Sequence, residues 1–151
     1  MENNKLNVII DTNVIISSLI TTNELSPTSQ VMELFYDGKI NVFYSNEIMK
    51  EYIEVLNRDK FKFNKEDIQF VINFFKEFAI NIEVAHKNVI LQDMKDLAFY
   101  EIVIDKKVKN GKLITGNKKH FPIEPFIMTP AEFMNKYYWN CEMGVLCYGR
   151  Y

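Results

Sequence analysis

Short apolar runs alternate with amphipathic segments along the chain. The first run, residues 8–10, holds only branched apolar side chains and is followed at once by Asp11. An unbroken apolar run of this kind is typical of a strand buried on both faces of a parallel sheet. Further strands are predicted at 40–44, 79–84, 112–114 and 125–128. Because helical patterns separate these strands, we expect a three-layer α/β/α domain with a mainly parallel sheet of about five strands.

Capping residues predict where the helices begin. Serine, threonine and asparagine stand before helical patterns, and two of them precede a proline suited to the first helical turn. The predicted N-caps are Thr12 or Asn13, Ser26, Ser45, Asn64 and Thr129. The predicted helices cover residues 14–20, 27–36, 46–57, 65–78, 96–107 and 130–138.

Composition indicates one globular domain over residues 1–138, followed by a tail, 139–151, without a clear period. Two cysteines near the end provide no disulfide framework, which is typical of a reducing cytosol. The polar residues before the first strand do not form a signal peptide, and no apolar run reaches the roughly 20 residues of a membrane span. We therefore expect a cytoplasmic protein that does not contact a membrane.

Four polar side chains fall at strand ends or in the first turn of the next helix: Asp11, Glu47, Asp96 and Asn117. Because the carboxyl ends of parallel strands share one edge of a sheet, these side chains are expected to converge. Carboxylates drawn together repel one another, and a hard cation such as Mg²⁺ or Mn²⁺ relieves that repulsion. Such a site predicts hydrolysis of phosphodiester bonds.

The order of these motifs resembles the PIN-domain nucleases. The motifs are Asp-Thr-Asn at 11–13, Ser-Asn-Glu-Ile at 45–48, Asp-x-x-Asp at 93–96 and Leu-Ile-Thr-Gly-Asn at 113–117. The similarity spans about residues 8–138 and is greatest to the VapC-like toxins of bacterial toxin–antitoxin pairs. This resemblance implies a divalent metal, cleavage of single-stranded RNA and an antitoxin partner.

The resemblance also implies roles for individual residues. The three family acids match Asp11, Glu47 and Asp96, which are expected to bind the metal. Asn117 stands where family members often carry aspartate, so it can accept a hydrogen bond but adds no charge. Supporting positions in the predicted site are Thr12, Asn13, Asp93 and Thr115. Asp93 or Glu101 is a candidate for a fourth acid.

Basic residues follow the predicted site directly in sequence. Lys118, Lys119 and His120 come after Asn117, so they are candidates for contacts with RNA phosphates; the alternative is a solvated loop. A phenylalanine-rich helix is expected to pack on the sheet or to form a homodimer face. Its aromatic residues are Phe70, Phe74, Phe75 and Phe78.

Other functions have less support from the sequence. An aspartyl phosphotransferase usually carries a second acid two residues after the first, where this chain has Asn13. The five glycines do not form a phosphate-binding loop. The main alternative is a PIN-like RNA- or protein-binding module with weak or no catalysis, which the neutral Asn117 favours.

Overall fold

A computed structural model describes residues 5–86, 89–91 and 94–139 of the 151-residue chain. Within this part of the chain, five parallel strands form one central sheet in the order β3-β2-β1-β4-β5. The strands are β1 Asn7–Ile10, β2 Asn41–Tyr44, β3 Ile80–Asn81, β4 Lys112–Ile114 and β5 Ile127–Met128. Val8, Ile9 and Ile10 of the central strand are fully buried, as the apolar run predicted.

Six α-helices flank the sheet in a three-layer α/β/α arrangement. They are α1 Thr12–Ile20, α2 Pro27–Tyr36, α3 Asn46–Leu56, α4 Lys65–Phe78, α5 Leu97–Val103 and α6 Pro130–Tyr137. Helix α2 contacts α1 and α6, while α3 contacts α4 and α5. The predicted fold class is therefore confirmed.

Most helix starts lie where the capping residues predicted them. The side chains of Ser26, Ser45 and Asn64 each accept a backbone N–H from the residue three positions later. Thr129 and Glu132 form a reciprocal capping box at the start of α6. These bonds satisfy donors that the first helical turn otherwise leaves without partners.

The start of α1 differs from the prediction. The helix begins at Thr12, so Asp11 occupies the N-cap position and makes no side-chain capping bond. Thr12 and Asn13 lie inside the first turn, where the prediction that one of them caps the helix is wrong. Their side chains bond to Glu51 and to Asp11 instead.

Three other elements are clearly shorter than predicted, among them β5, which covers only Ile127–Met128 of the predicted 125–128. Helix α5 ends at Val103 instead of continuing to 107, because the Asp105 side chain accepts the Lys107 N–H at 2.9 Å and forms a turn. Strand β3 covers only residues 80–81 of the predicted 79–84, where it pairs with β2. Such side-chain bonds to nearby backbone compete with helical hydrogen bonds.

The phenylalanine-rich helix α4 packs one face inward and leaves part of the other exposed. Phe75 is fully buried against Phe35 and Tyr52, whereas Phe70 and Phe78 are 57% and 59% exposed. Packing on the core is therefore present, and the homodimer face stays a prediction. Among the described helices, none combines the length and apolarity needed to cross a bilayer.

Candidate active site

Asp11 stands at the end of the central strand, where β1 and β4 finish side by side. Its backbone N–H donates to the Ile114 carbonyl at 2.9 Å, which continues the pairing of the two strands. The Thr115 hydroxyl, fully buried at the end of β4, donates to Asp11 Oδ2 at 2.7 Å. The two strand ends therefore bring together a buried carboxylate and a buried hydroxyl that are 104 residues apart in sequence.

Burial raises the pKa of Asp11 to about 6 from its ordinary value of 3.8. The hydrogen bond from Thr115 lowers this pKa, while the negative charges of Asp96 and Glu51 raise it. Because repulsion between carboxylates acts over short distances in a partly buried site, Asp11, Asp96 and Glu51 form one electrostatic cluster. We call these three acids, together with Thr115, the Asp11 group.

Asn13 connects the first turn of α1 to the loop after β4. Its amide nitrogen donates to Asp11 Oδ2 at 3.3 Å, and its amide oxygen accepts the Gly116 N–H at 2.9 Å. A Cβ at residue 116 would lie 3.3 Å from Asn13 Oδ1, so glycine permits this close approach. Asn13 therefore does not cap α1; its side chain links the Asp11 carboxylate to the loop after β4.

Glu51 is the member of the Asp11 group that the sequence analysis missed. The Thr12 hydroxyl donates to Glu51 Oε2 at 2.5 Å. The neighbouring Tyr52 is fully buried and donates its hydroxyl to the Ile10 carbonyl, which anchors α3 against the end of β1. Glu51 lies one helical turn after Glu47, so spacing of four residues was the signal that placed both acids on one face.

Glu47 lies beside a different set of side chains. His86 Nε2 is 3.6 Å from Glu47 Oε1, and His86 Nδ1 is 3.5 Å from Glu101 Oε1. Glu101 is buried, whereas Glu47 and His86 are exposed. Their ligand atoms all lie within 4.8 Å of one another, so this set has the donors of a metal site. We call it the His86 group.

One member of the Asp11 group, Glu51, lines a cavity together with the His86 group. A space of about 360 Å³ between α3 and α5 is lined by the four residues Glu47, Glu51, His86 and Glu101, among others. Glu47 therefore lies near Glu51, but the side chain that it contacts is His86. Its predicted role as a metal ligand stays a prediction.

Asp96 lies in the turn of 3₁₀-helix Met94–Asp96, immediately before α5. His120 Nδ1 is 3.3 Å from Asp96 Oδ2, and both side chains are mostly covered. This contact places His120 beside Asp96 of the Asp11 group. Its predicted contact with RNA phosphates stays a prediction. Asp93, the other acid of the predicted pair, lies outside the described residues.

The remaining predicted residues lie on the exposed rim. The Asn117 N–H donates to Thr115 Oγ1 at 3.0 Å, and within the described ranges its side chain makes no hydrogen bond. The Lys118 ammonium is 3.1 Å from each carboxylate oxygen of Glu132. Lys119 is exposed. These contacts leave the predicted RNA-binding roles untested.

The donor set of the Asp11 group fits a divalent cation. Burial, and to a smaller extent the negative charges of Asp96 and Glu51, raises the pKa of Asp11, so a nearby positive charge would stabilise its ionised form. Carboxylate, hydroxyl and amide oxygens are hard ligands, which Mg²⁺ and Mn²⁺ prefer. The His86 group instead offers one imidazole and two carboxylates, a mixed set that softer ions also accept.

Comparison with known proteins gives two matches. A family model described as PIN domain matches residues 7–119. The chain is also similar to a protein of Methanocaldococcus jannaschii named "Uncharacterized protein MJ1680", with 27% identity over 152 residues. That match covers 91% of this chain and 95% of the archaeal protein.

Proposed function

The chain belongs to the PIN domain family, and on this premise we propose that it is a metal-dependent endoribonuclease acting on single-stranded RNA. PIN domains are generally nucleases, and the finer assignment rests on the site. The observation that supports it most is the buried Asp11 carboxylate, whose pKa burial raises to about 6, with smaller contributions from the negative charges of Asp96 and Glu51. Folding alone gains nothing from three acids that repel one another.

Asp11, Asp96 and Glu51 would hold the divalent ion. We prefer Glu51 to Glu47 as the third carboxylate because Glu51 interacts with Asp11, whereas Glu47 contacts His86. A bound Mg²⁺ or Mn²⁺ supplies polarisation of a phosphoryl oxygen and a lower pKa for a bound water. Glu47 is the alternative third ligand.

The chain's other residues position the acids and the substrate. Thr115 and Asn13 both donate to Asp11 Oδ2, which fixes that carboxylate oxygen. His120, when protonated, balances the charge of Asp96 at the rim. The exposed Asn117 amide can accept or donate a hydrogen bond to RNA.

Partners follow from the resemblance to toxin–antitoxin nucleases. We include in the proposal that the chain is a toxin inhibited by an antitoxin protein that covers the cavity between α3 and α5. A homodimer through α4 is part of the same proposal, supported by the exposed Phe70 and Phe78.

A second candidate function is a PIN-like module that binds RNA or protein with little or no catalysis. The neutral Asn117 favours it, because the site then has one charge fewer than in relatives with an aspartate there. This alternative predicts RNA binding without cleavage.

The test is cleavage of a mixed single-stranded RNA pool with Mg²⁺, Mn²⁺ or EDTA. The variants are Asp96→Asn and, as a control, Glu77→Gln on the exposed side of α4. We expect metal-dependent cleavage by the wild type and the control, and none by Asp96→Asn. Equal cleavage by Asp96→Asn would contradict the site, and RNA binding without any cleavage would favour the binding module.

A further inference from the structure

A second polar cavity lies at the edge of the sheet opposite to the Asp11 group. It has a volume of about 560 Å³ and lies between the end of α5, the loop before β4, the start of β5 and the end of α6. Four lysines line it: Lys106, Lys109, Lys112 and Lys136. We call this space the basic cavity.

Chain direction explains why the lysines gather there. Helix α5 begins beside Asp96 at the acidic edge, so its end and the following loop reach the other edge of the sheet. Helix α6 follows β5 and runs back, which brings Lys136 to the same cavity. Three of these lysines are close in sequence, but Lys136 joins them only through the fold.

The loop before β4 has a compact form that presents its lysines outward. Asn110 has a left-handed backbone with a φ of 52°, and the Asn7 side chain donates to the Lys109 carbonyl at 2.8 Å. A Cβ at Gly111 would lie 2.8 Å from Val108 Cγ1 and 3.2 Å from the Val103 carbonyl. The glycine therefore permits the loop to pack closely on the end of α5.

The positive charges of the basic cavity are not balanced by ion pairs. Among the residues that the structure describes, none of the four lysines forms a salt bridge, whereas Lys118 at the acidic edge is paired with Glu132. Asp105 is the one acid lining the cavity, and it is buried and accepts a backbone N–H of its own loop. Four lysines against one buried carboxylate leave a net positive site.

A third cavity, here called the connecting cavity, extends from the basic cavity toward Lys118, and the carboxylates of Glu124 and Glu132 also line it. It has a volume of about 750 Å³ along the edge strand β5 and shares Pro125 and Lys136 with the basic cavity. Its other end is lined by Lys118, the residue after Asn117. The three residues of β4 separate the two edges by about 10 Å, so an extended chain can reach both.

We infer that the basic cavity binds the phosphodiester backbone of the RNA strand whose scissile bond lies at the Asp11 group. This inference rests on the proposed function and adds a second contact site for the same substrate. Lysine ammonium groups are point charges that pair with successive phosphates without reading the bases. The apolar rim of the connecting cavity, with the fully exposed Ile123, provides a surface for unpaired bases.

The test is binding of a labelled single-stranded RNA oligomer of mixed sequence in EDTA, measured by fluorescence anisotropy over a range of salt concentrations. The variant is Lys106→Gln with Lys109→Gln, both exposed, so that the fold is retained. The matched control is Lys65→Gln with Lys76→Gln, which removes the same charge from α4. Thermal unfolding of each protein checks that stability is unchanged.

We expect the variant to raise the Kd on the order of tenfold and to reduce the salt slope by about 1.4, for two lost phosphate contacts. The control should stay within about twofold of the wild type. An unchanged Kd in the variant would overturn the inference. Poly-glutamate is then added as a competitor. If poly-glutamate displaces RNA from the wild type, while the variant still binds RNA but no longer responds to poly-glutamate, the inference is overturned in favour of an acidic protein partner.

Cleavage distinguishes the two proposals. With a metal present, the variant should show a higher KM for a long RNA and wild-type rates on a dinucleotide too short to reach the basic cavity. Absence of cleavage in all proteins, with lysine-dependent binding retained, would reject the nuclease and keep the RNA site. Cleavage with lysine-independent binding would reject the site and keep the nuclease.

Discussion

The Asp11 group and the His86 group are linked through Glu51, which lines a cavity with the His86 group, yet the two groups are built differently. Asp11 and Thr115 are buried at the ends of adjacent strands and are bonded to each other. Glu47 and His86 are exposed on a helix start and a loop, and only Glu101 in that group is buried. Burial explains why the pKa of Asp11 rises to about 6. The comparison teaches that two adjacent strand ends bury a carboxylate together with its hydrogen-bond donor, whereas a helix start and a loop leave Glu47 and His86 exposed.

The largest expected effect is the loss of RNA cleavage when the Asp11 group is changed. Asp11→Asn removes the buried charge that is proposed to bind the metal and should lower the RNA cleavage rate by on the order of 10²–10³-fold. Initial rates with saturating Mg²⁺ measure this effect, with Glu77→Gln as the control. A variant that cleaves at the wild-type rate would show that the Asp11 group is not the active site.

The same substitution should raise stability when metal is absent. Between pH 3.8 and about 6 the native state binds the Asp11 proton more tightly than the unfolded chain, so the free energy of unfolding falls as pH rises. Above pH 6 the ionised Asp11 carboxylate lowers the free energy of unfolding by up to about 3 kcal/mol. Urea unfolding in EDTA should therefore find Asp11→Asn more stable than the wild type at pH 8, with the difference vanishing near pH 4. A lower stability of Asp11→Asn at pH 8 would contradict the buried charge.

The two glutamates of α3 sharpen the comparison further. Glu51→Gln should lower cleavage by about tenfold or more, because it removes a charge that interacts with Asp11. Glu47→Gln, one helical turn away, should have an effect below about threefold. Rates at several Mn²⁺ concentrations measure both, and the reverse order would assign the third carboxylate to Glu47.

A further expected effect, on the pH dependence of cleavage, concerns Thr115. Thr115→Val keeps the shape of the side chain but removes the hydroxyl that donates to Asp11. The free energy of unfolding should fall by about 1–3 kcal/mol. Because that hydrogen bond lowers the pKa of Asp11, the pKa should rise above 6 and the acid limb of the cleavage profile should move to higher pH. A pH–rate profile tests this, and an unmoved acid limb would mean that Asp11 does not govern it.

Much of the fold was predictable because the relevant interactions are local. The run 8–10 is buried as a central strand because its side chains are all apolar. The caps Ser26, Ser45 and Asn64 bond to N–H groups only three residues away, so short-range chemistry decides them. Asp11 and Thr115 meet because parallel strands end at one edge, which the alternation of elements already implied.

The sequence by itself determined the α/β architecture, the family and the edge of the sheet where Asp11 and Thr115 meet. Only the tertiary structure placed Glu51 with Asp11 and Glu47 with His86, because the rotation of α3 depends on the packing of Tyr52 against β1. The tertiary structure likewise placed the lysines at 106, 109 and 112 in the basic cavity and Lys118 outside it. The physical reason is that an acid or a lysine has no preferred partner until packed helices fix the direction of its side chain.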